Sequence, residues 1–225
     1  MDRLSRPPSH GSPCEHTGGV HRDKCHSIPE PGVDHGGENW LKSGLKKYVC
    51  DLTLDPNTLH RNLCLSEENR KVTWSKEKQL YPDHPERFKD CKQVLCREGL
   101  TGRCYWEVEW SRGGADIGVT YKGINRRGAG GDCGLGNNNK SWSLICDYSY
   151  YYVRHNNKSA DLPVTTSGFH RVGVYLDWSA GTLSFYRVSS DTLTHLYTFN
   201  TTFTEPLYPG FRVYIDSSLS LCQLV

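Results

Sequence analysis

Two glutamates stand two residues apart in the run Cys104-Tyr105-Trp106-Glu107-Val108-Glu109-Trp110. In an extended strand alternate side chains share a face, so Glu107 and Glu109 would project together beside Tyr105. Two carboxyl groups about 5–5.5 Å apart are what a retaining glycosidase requires. The plainer reading makes Trp106, Val108 and Trp110 the buried face and turns the glutamates to solvent. The plainer reading is favoured, because no second feature marks an acid/base pair. A carbohydrate-binding β-sandwich or glycosidase-like protein is kept as the alternative function.

Other chemistry-bearing residues are weaker pointers. Cys14, His16, His21, Cys25 and His26 are of the types that ligate zinc. They lack a paired C-x2-C unit, so no metal site is assigned. Lys122 to Arg127 is basic and the stretch from Gly128 to Gly136 is glycine-rich. A phosphate cradle needs a helix start after the glycines, and no helical pattern follows. The sequence contains no G-x-S-x-G, H-E-x-x-H or dinucleotide fingerprint, so no catalytic residue and no cofactor is expected. The ten cysteines come without the apolar leader of a secretory signal. Most, including Cys50, Cys64 and Cys104, are therefore expected to be buried reduced thiols in a cytoplasmic protein. For the same reason the three N-x-[ST] triplets at Asn139, Asn157 and Asn200 carry no weight.

These residues must be placed by strands. The chain has 225 residues and a net charge of +2, with no apolar run long enough to span a bilayer as a helix. That balance gives no basis for nucleic-acid binding or membrane insertion. Residues 1–44 are rich in proline, glycine and histidine and poor in large apolar residues. They read as a flexible, disordered tail or linker. From residue 45 onward short strands follow one another. In 170–188 Val172, Val174, Leu176, Leu183 and Phe185 alternate with polar or small residues around a turn built on Asp177 and Gly181. Such hairpins need a second layer over their apolar face. Strands are also expected at 50–55, 62–68, 71–74, 94–100, 104–110, 116–121, 141–146, 150–155, 195–199, 207–214 and 218–225. At most one helical turn is expected, at Thr58 to Arg61. The fold class is all-β, a two-layer antiparallel sandwich.

The second aromatic concentration is Tyr148-Ser149-Tyr150-Tyr151-Tyr152-Val153-Arg154-His155. Tyr150, Tyr152 and Arg154 fall on one strand face, Tyr151 and Val153 on the other. Tyrosine and arginine bring large contact area with a polar tip, and both are enriched at interface hot spots.

Taken in order, these motifs resemble a PRY-SPRY (B30.2) domain over residues 45–225, PRY at about 45–98 and SPRY at about 99–225. The resemblance is carried by Leu52-Thr53-Leu54-Asp55-Pro56, Leu63-Cys64-Leu65-Ser66, Glu86-Arg87-Phe88 and Val94-Leu95-Cys96-Arg97-Glu98-Gly99. It continues through Gly102 to Trp110, Ser141-Trp142-Ser143-Leu144, Val172 to Asp177 and Leu207-Tyr208-Pro209-Gly210-Phe211. The lead-in from Asp34 to Tyr48 is similar to that of such domains in NOD-like receptors, and tripartite-motif ubiquitin ligases are similar too. The resemblance implies a bent two-sheet sandwich of the concanavalin-like jelly-roll type, no catalytic site, and variable loops that bind another protein. It implies a monomeric recognition module serving innate immunity, with loops Tyr81 to Arg87, Asn125 to Asn139 and Tyr148 to Asn157 at the site. Tyr81, Arg87, Asn125, Arg126, Arg127, Asp147, Tyr148, Tyr150, Tyr151, Tyr152 and Arg154 are the candidate contact residues. Ile145 and Asp147 stand where some tripartite-motif members carry tryptophan, and Lys92 where relatives often carry an aromatic.

Overall fold

The computed structural model describes residues 43–128, 131–147, 150–162, 169–190 and 192–224. Residues 1–42, with the Cys14/His16/His21/Cys25/His26 set of the tail, and Tyr148 lie outside them. Among the described residues thirteen strands form two antiparallel sheets. The seven-stranded sheet runs β1 (Leu63–Ser66), β2 (Lys71–Trp74), β13 (Ser218–Leu221), β4 (Arg103–Ser111), β9 (Arg171–Asp177), β10 (Thr182–Ser189) and β11 (Thr192–Asn200). The six-stranded sheet runs β3 (Gln93–Leu95), β12 (Leu207–Val213), β5 (Ala115–Tyr121), β6 (Ser141–Asp147), β7 (Tyr150–His155) and β8 (Lys158–Asp161).

The core lies between the sheets and is assembled by alternation. Val172, Val174, Leu176, Leu183 and Phe185 are all fully buried, and Trp106, Val108 and Trp110 join them from β4. Ile117, Leu144, Val153 and Phe211 meet them from the other sheet. The turn between β9 and β10 uses the predicted chemistry. Asp177 Oδ1 accepts the Ala180 N–H at 3.0 Å and its other oxygen takes the Arg103 guanidinium at 2.8 Å. Gly181 has φ +70°, and a side chain there would run into the Thr201 carbonyl, so only glycine fits without strain.

Some strand boundaries differ from the sequence reading. Residues 50–55 form no strand; Leu54 bridges to Cys96, and Val49 just before them to Tyr105, as isolated pairs. The segment around Thr58 is a turn rather than a helix, while residues 43–46 make a helical turn. The short exposed strand β8 was not expected. It carries no apolar alternation, because it sits at the sheet edge and buries nothing.

Two expectations are corrected. First, Tyr105 and Glu107 do not meet solvent: they are 0% and 2% exposed. The outer face of the seven-stranded sheet is roofed by Leu45, Val188 and Leu193 with Tyr48, Tyr175, Tyr186 and Leu224. Under that roof the Tyr105 hydroxyl donates to Glu107 Oε1 at 2.7 Å and Arg171 pairs with Glu107 Oε2 at 2.6 Å. Burial, reinforced by the Glu107 charge, holds the Tyr105 hydroxyl well above its ordinary range. Glu109 alone remains exposed. Second, Cys50 and Cys104 are joined as a disulfide, as are Cys91 and Cys133. Chain segments far apart in sequence bring each pair together, with Cα–Cα distances of 5.5 and 6.1 Å. Cys64, Cys96, Cys146 and Cys222 are free.

The Glu107 cluster gives a stability test. Arg171→Met strands a buried carboxylate without its cation and is expected to cost about 2 kcal/mol in urea unfolding. That is below the roughly 3–5 kcal/mol of fully buried pairs, because the arginine side chain is 39% exposed. Arg171→Met combined with Glu107→Gln is expected to recover most of the loss.

Candidate partner-binding face

The inward set of the six-stranded sheet fixes what points outward. With Ala115, Ile117 and Val119 in the core, Asp116 and Gly118 face out. With Phe211 and Val213 inside, Arg212 faces out. The pairing then puts Gln93, Arg212, Asp116, Ile145, Tyr152 and Asp161 side by side across all six strands. Asp147 pairs with Tyr150 on the same face, and Ser143 with Arg154.

This row holds a polar cluster. Asp116 is 2% exposed and accepts the Tyr214 hydroxyl on Oδ1 at 2.8 Å, while Arg212 lies 3.7 Å from Oδ2. Burial pushes the Asp116 carboxyl up to about 6; Arg212, Tyr214 and Arg154 pull it back only in part. Arg154 lies over the Tyr152 ring at 5.1 Å and donates to Asn137 Oδ1 at 2.7 Å and Ser159 Oγ at 3.0 Å. Tyr150 stands 75% exposed at the rim, and Ile215, 59% exposed, follows Tyr214 at the other end. Lys92, Arg212 and Tyr214 line a pocket of about 330 Å³ beside the cluster. The arrangement offers donors, acceptors and aromatic area on a rigid sheet. Its central carboxyl exchanges a proton near neutrality.

Two loops wall the face. Residues 75–92 precede β3 and residues 122–140 join β5 to β6. Between them Phe88, Cys91, Leu95, Ile124, Cys133 and Leu135 form a small second core on the outside of the sheet. Gln93 locks it from below: its amide donates to the Cys133 carbonyl at 2.7 Å and accepts the Leu135 N–H at 2.8 Å.

The candidate contact residues separate on this geometry. Asp147, Tyr150, Tyr152 and Arg154 come together on the face. Asn125 and Arg127 are exposed on the wall loop. Arg126 anchors that loop, pairing with Glu86 at 2.7 Å and lying over Phe88. Burial takes two residues out of the contact surface. Arg87 is 3% exposed and spends its guanidinium on the carbonyls of Pro56, Leu59 and Pro82. Tyr151 is 6% exposed and stacks on Phe169 at 4.4 Å between ring centroids. Tyr81 is half-buried, its hydroxyl donating to the Leu63 carbonyl at 2.9 Å. Asp116, Arg212 and Tyr214 were not singled out from the sequence. Their signal was an aspartate in the otherwise apolar run 115–119, and an arginine and a tyrosine alternating with Phe211 and Val213.

Neither alternative chemistry is assembled among the described residues. Glu107 has both oxygens engaged under the roof of the opposite sheet, one by the Tyr105 hydroxyl and the other by Arg171. No group of three His, Cys, Asp or Glu side chains is placed to hold a metal ion among the described residues.

Asp116 gives a pH test with a definite sign. Its folded carboxyl titrates at about 6 against an ordinary 3.8, so the folded state holds the proton more tightly than the unfolded chain. The stabilisation from protonated Asp116 is complete below the ordinary value and is lost as pH rises through 6. Asp116→Asn keeps an acceptor for Tyr214 and removes the titration. The wild type is expected to lose on the order of 2–3 kcal/mol relative to this variant between pH 4 and 7.5, read from urea midpoints of both proteins.

Comparison with known proteins bears on what this face does. A family model described as the SPRY-associated domain, PRY, matches residues 52–100, and one for the SPRY domain matches residues 103–222. Stonustoxin subunit beta of Synanceia horrida is 44% identical over 213 residues, covering 90% of this chain and 29% of the toxin subunit. Tripartite motif-containing protein 16 of Mus musculus is 40% identical over 170 residues, covering 73% of this chain and 30% of that protein. The chain thus spans less than a third of the length of these relatives. Among solved structures, the PSpry domain of TRIM65 superposes with a TM-score of 0.75 at 29% identity, covering 82% of this chain and 96% of that one. The stonustoxin structure gives 0.73 at 48% identity, covering 79% of this chain and 28% of that one. The chain belongs to the PRY-SPRY (B30.2) family, and its sandwich is that family's protein-interaction module.

Proposed function

We propose that this chain recognises another protein across the outer face of the six-stranded sheet. The observation that carries this is the row Arg212, Asp116, Tyr152 with Tyr150 above it. It sets aromatic and charged groups on a rigid scaffold, with Tyr150 exposed and Tyr152 and Arg212 partly exposed around the buried Asp116. Interfaces concentrate their energy in such arginine and tyrosine anchors. The two wall loops supply the variable edge, as loops on rigid sheets commonly do.

The narrower form, recognition of a host or pathogen protein in innate immunity by a cytoplasmic receptor or ligase, draws its support from the tripartite-motif relatives. The lead-in resembling that of NOD-like receptors supports it too. The toxin relatives favour a second reading. Both alpha and beta subunits of stonustoxin match this chain, so the partner would be a companion subunit that carries the same module.

The test is affinity capture with the full chain as bait, beside Tyr150→Ala/Tyr152→Ala/Arg212→Ala and beside a Tyr197→Ala control on the opposite sheet. The expected result is a protein partner retained by wild type and control and lost by the triple variant, which must first match wild type in thermal unfolding. Equal retention by the triple variant would remove the site from this face. Tyr151→Ala is unsuitable here: deletion of its buried, stacked ring is expected to cost about 3 kcal/mol of stability.

A further inference from the structure

The two loops that wall the face are joined by one covalent bond, Cys91–Cys133, across 42 residues of sequence. Several weaker ties run beside it. The Lys89 N–H donates to the Arg126 carbonyl at 2.8 Å, the Gly128 N–H to the Asp90 carboxylate at 2.7 Å, and Arg126 pairs with Glu86. Cys91, 6% exposed, is a lining residue of the pocket beside Lys92, Arg212 and Tyr214, at the edge of the partner face. Cys133 is fully buried behind it.

We propose that the Cys91–Cys133 pair is a thiol–disulfide switch on the partner-binding face, exchanging with small thiols and disulfides of the glutathione class. The proposal rests on the reading of that face as the recognition surface. Opening begins when an external thiolate attacks the Cys91 sulfur from the pocket. The S–S bond breaks, a mixed disulfide forms on Cys91, and the Cys133 sulfur leaves as a thiolate. A second external thiolate attacks the external sulfur of the mixed disulfide and frees Cys91. The protein gains two electrons and, from water, two protons; the reductant leaves as its disulfide. Closing is the reverse, with the oxidised disulfide of the same class as acceptor.

Three features single out this pair. Cys96 and Cys146 are buried so deeply that their thiols are held far above the usual range, and burial raises Cys222 to about 11. These three form little thiolate near neutrality, which leaves half-buried Cys64 as the one other free thiol among the described residues. The other disulfide, Cys50–Cys104, ties the segment before β1 to β4 in the opposite sheet and does not touch the face. Hydrogen bonds, an ion pair and a small core tie the same two loops beside Cys91–Cys133. Opening therefore loosens the walls locally and leaves the sandwich folded.

Hydrogen exchange read by mass spectrometry on the full chain tests this, in glutathione buffers poised oxidised and then reduced. Alkylation and intact mass confirm the state of each pair. Reduction is expected to speed exchange at least about fivefold in residues 84–92 and 122–136. The β9–β10 hairpin should keep its protection. In Cys91→Ser/Cys133→Ser the same loops should exchange fast in both buffers. Cys50→Ser/Cys104→Ser should behave as wild type, and it isolates the switch if the first variant fails to fold. Unchanged loop exchange on reduction, or acceleration spread evenly over both sheets, overturns the switch. Equal capture of one partner by oxidised and reduced bait overturns its control of binding. Capture of no partner in either state counts against the recognition reading instead, and the exchange data then decide the switch alone.

Discussion

Register in a two-layer sandwich admits no half-measures. A one-residue slip in any strand would turn its apolar row to solvent and its polar row into the core. The packing of Trp106, Val174 and Phe185 against Ile117, Leu144 and Phe211 therefore fixes more than stability. Because those side chains point inward, Asp116, Tyr152 and Arg212 must point outward and must fall in line. The partner face is the reverse side of the core, and its geometry inherits the rigidity of the packing beneath it.

The two outer faces solve the same problem in opposite ways. On the seven-stranded sheet Glu107 is roofed over, and Arg171 with the Tyr105 hydroxyl satisfies its charge. That face is closed, and its acidic group is structural. On the six-stranded sheet Asp116 is as deeply buried, but its cation stands off at 3.7 Å. The compensation is incomplete, which is why its carboxyl titrates within reach of physiological pH. Incomplete compensation of a buried charge at an accessible surface is a property often found where binding takes place.

The fold was legible because alternation survives in single strands. Val172 to Phe185 and Trp106 to Trp110 announced their buried sides without any knowledge of their neighbours. What alternation could not give was which strands pair. Asp116 and Arg212 lie 96 residues apart in numbering (212 − 116) and meet only because β5 and β12 are adjacent. The same limit hid the partners of Cys50 and Cys91, which are set by tertiary proximity alone. Glu107 misled for a different reason. Its strand reads as amphipathic, and the residues that cover it, Leu45, Val188 and Leu193, come from distant segments. Arg87 misled because its type fits an interface, while the backbone carbonyls of Pro56, Leu59 and Pro82 claim it.

The hairpin of β7 and β8 closes the sheet on the side that carries Tyr150, Tyr152 and Arg154. Its turn, Asn156-Asn157, takes the left-handed conformation at both residues, φ +50° and +59°, which suits the twist of a tight hairpin. Both turn amides are held by the wall loop, bonding to the carbonyls of Asn138 and Gly136. Yet all four residues of β8 are exposed and none enters the core. The sequence of β8 can therefore drift freely so long as its backbone pairs with β7. A lineage can reshape what this end of the face touches without renegotiating the fold, and diversity among relatives should collect along this margin while the inward rows hold still.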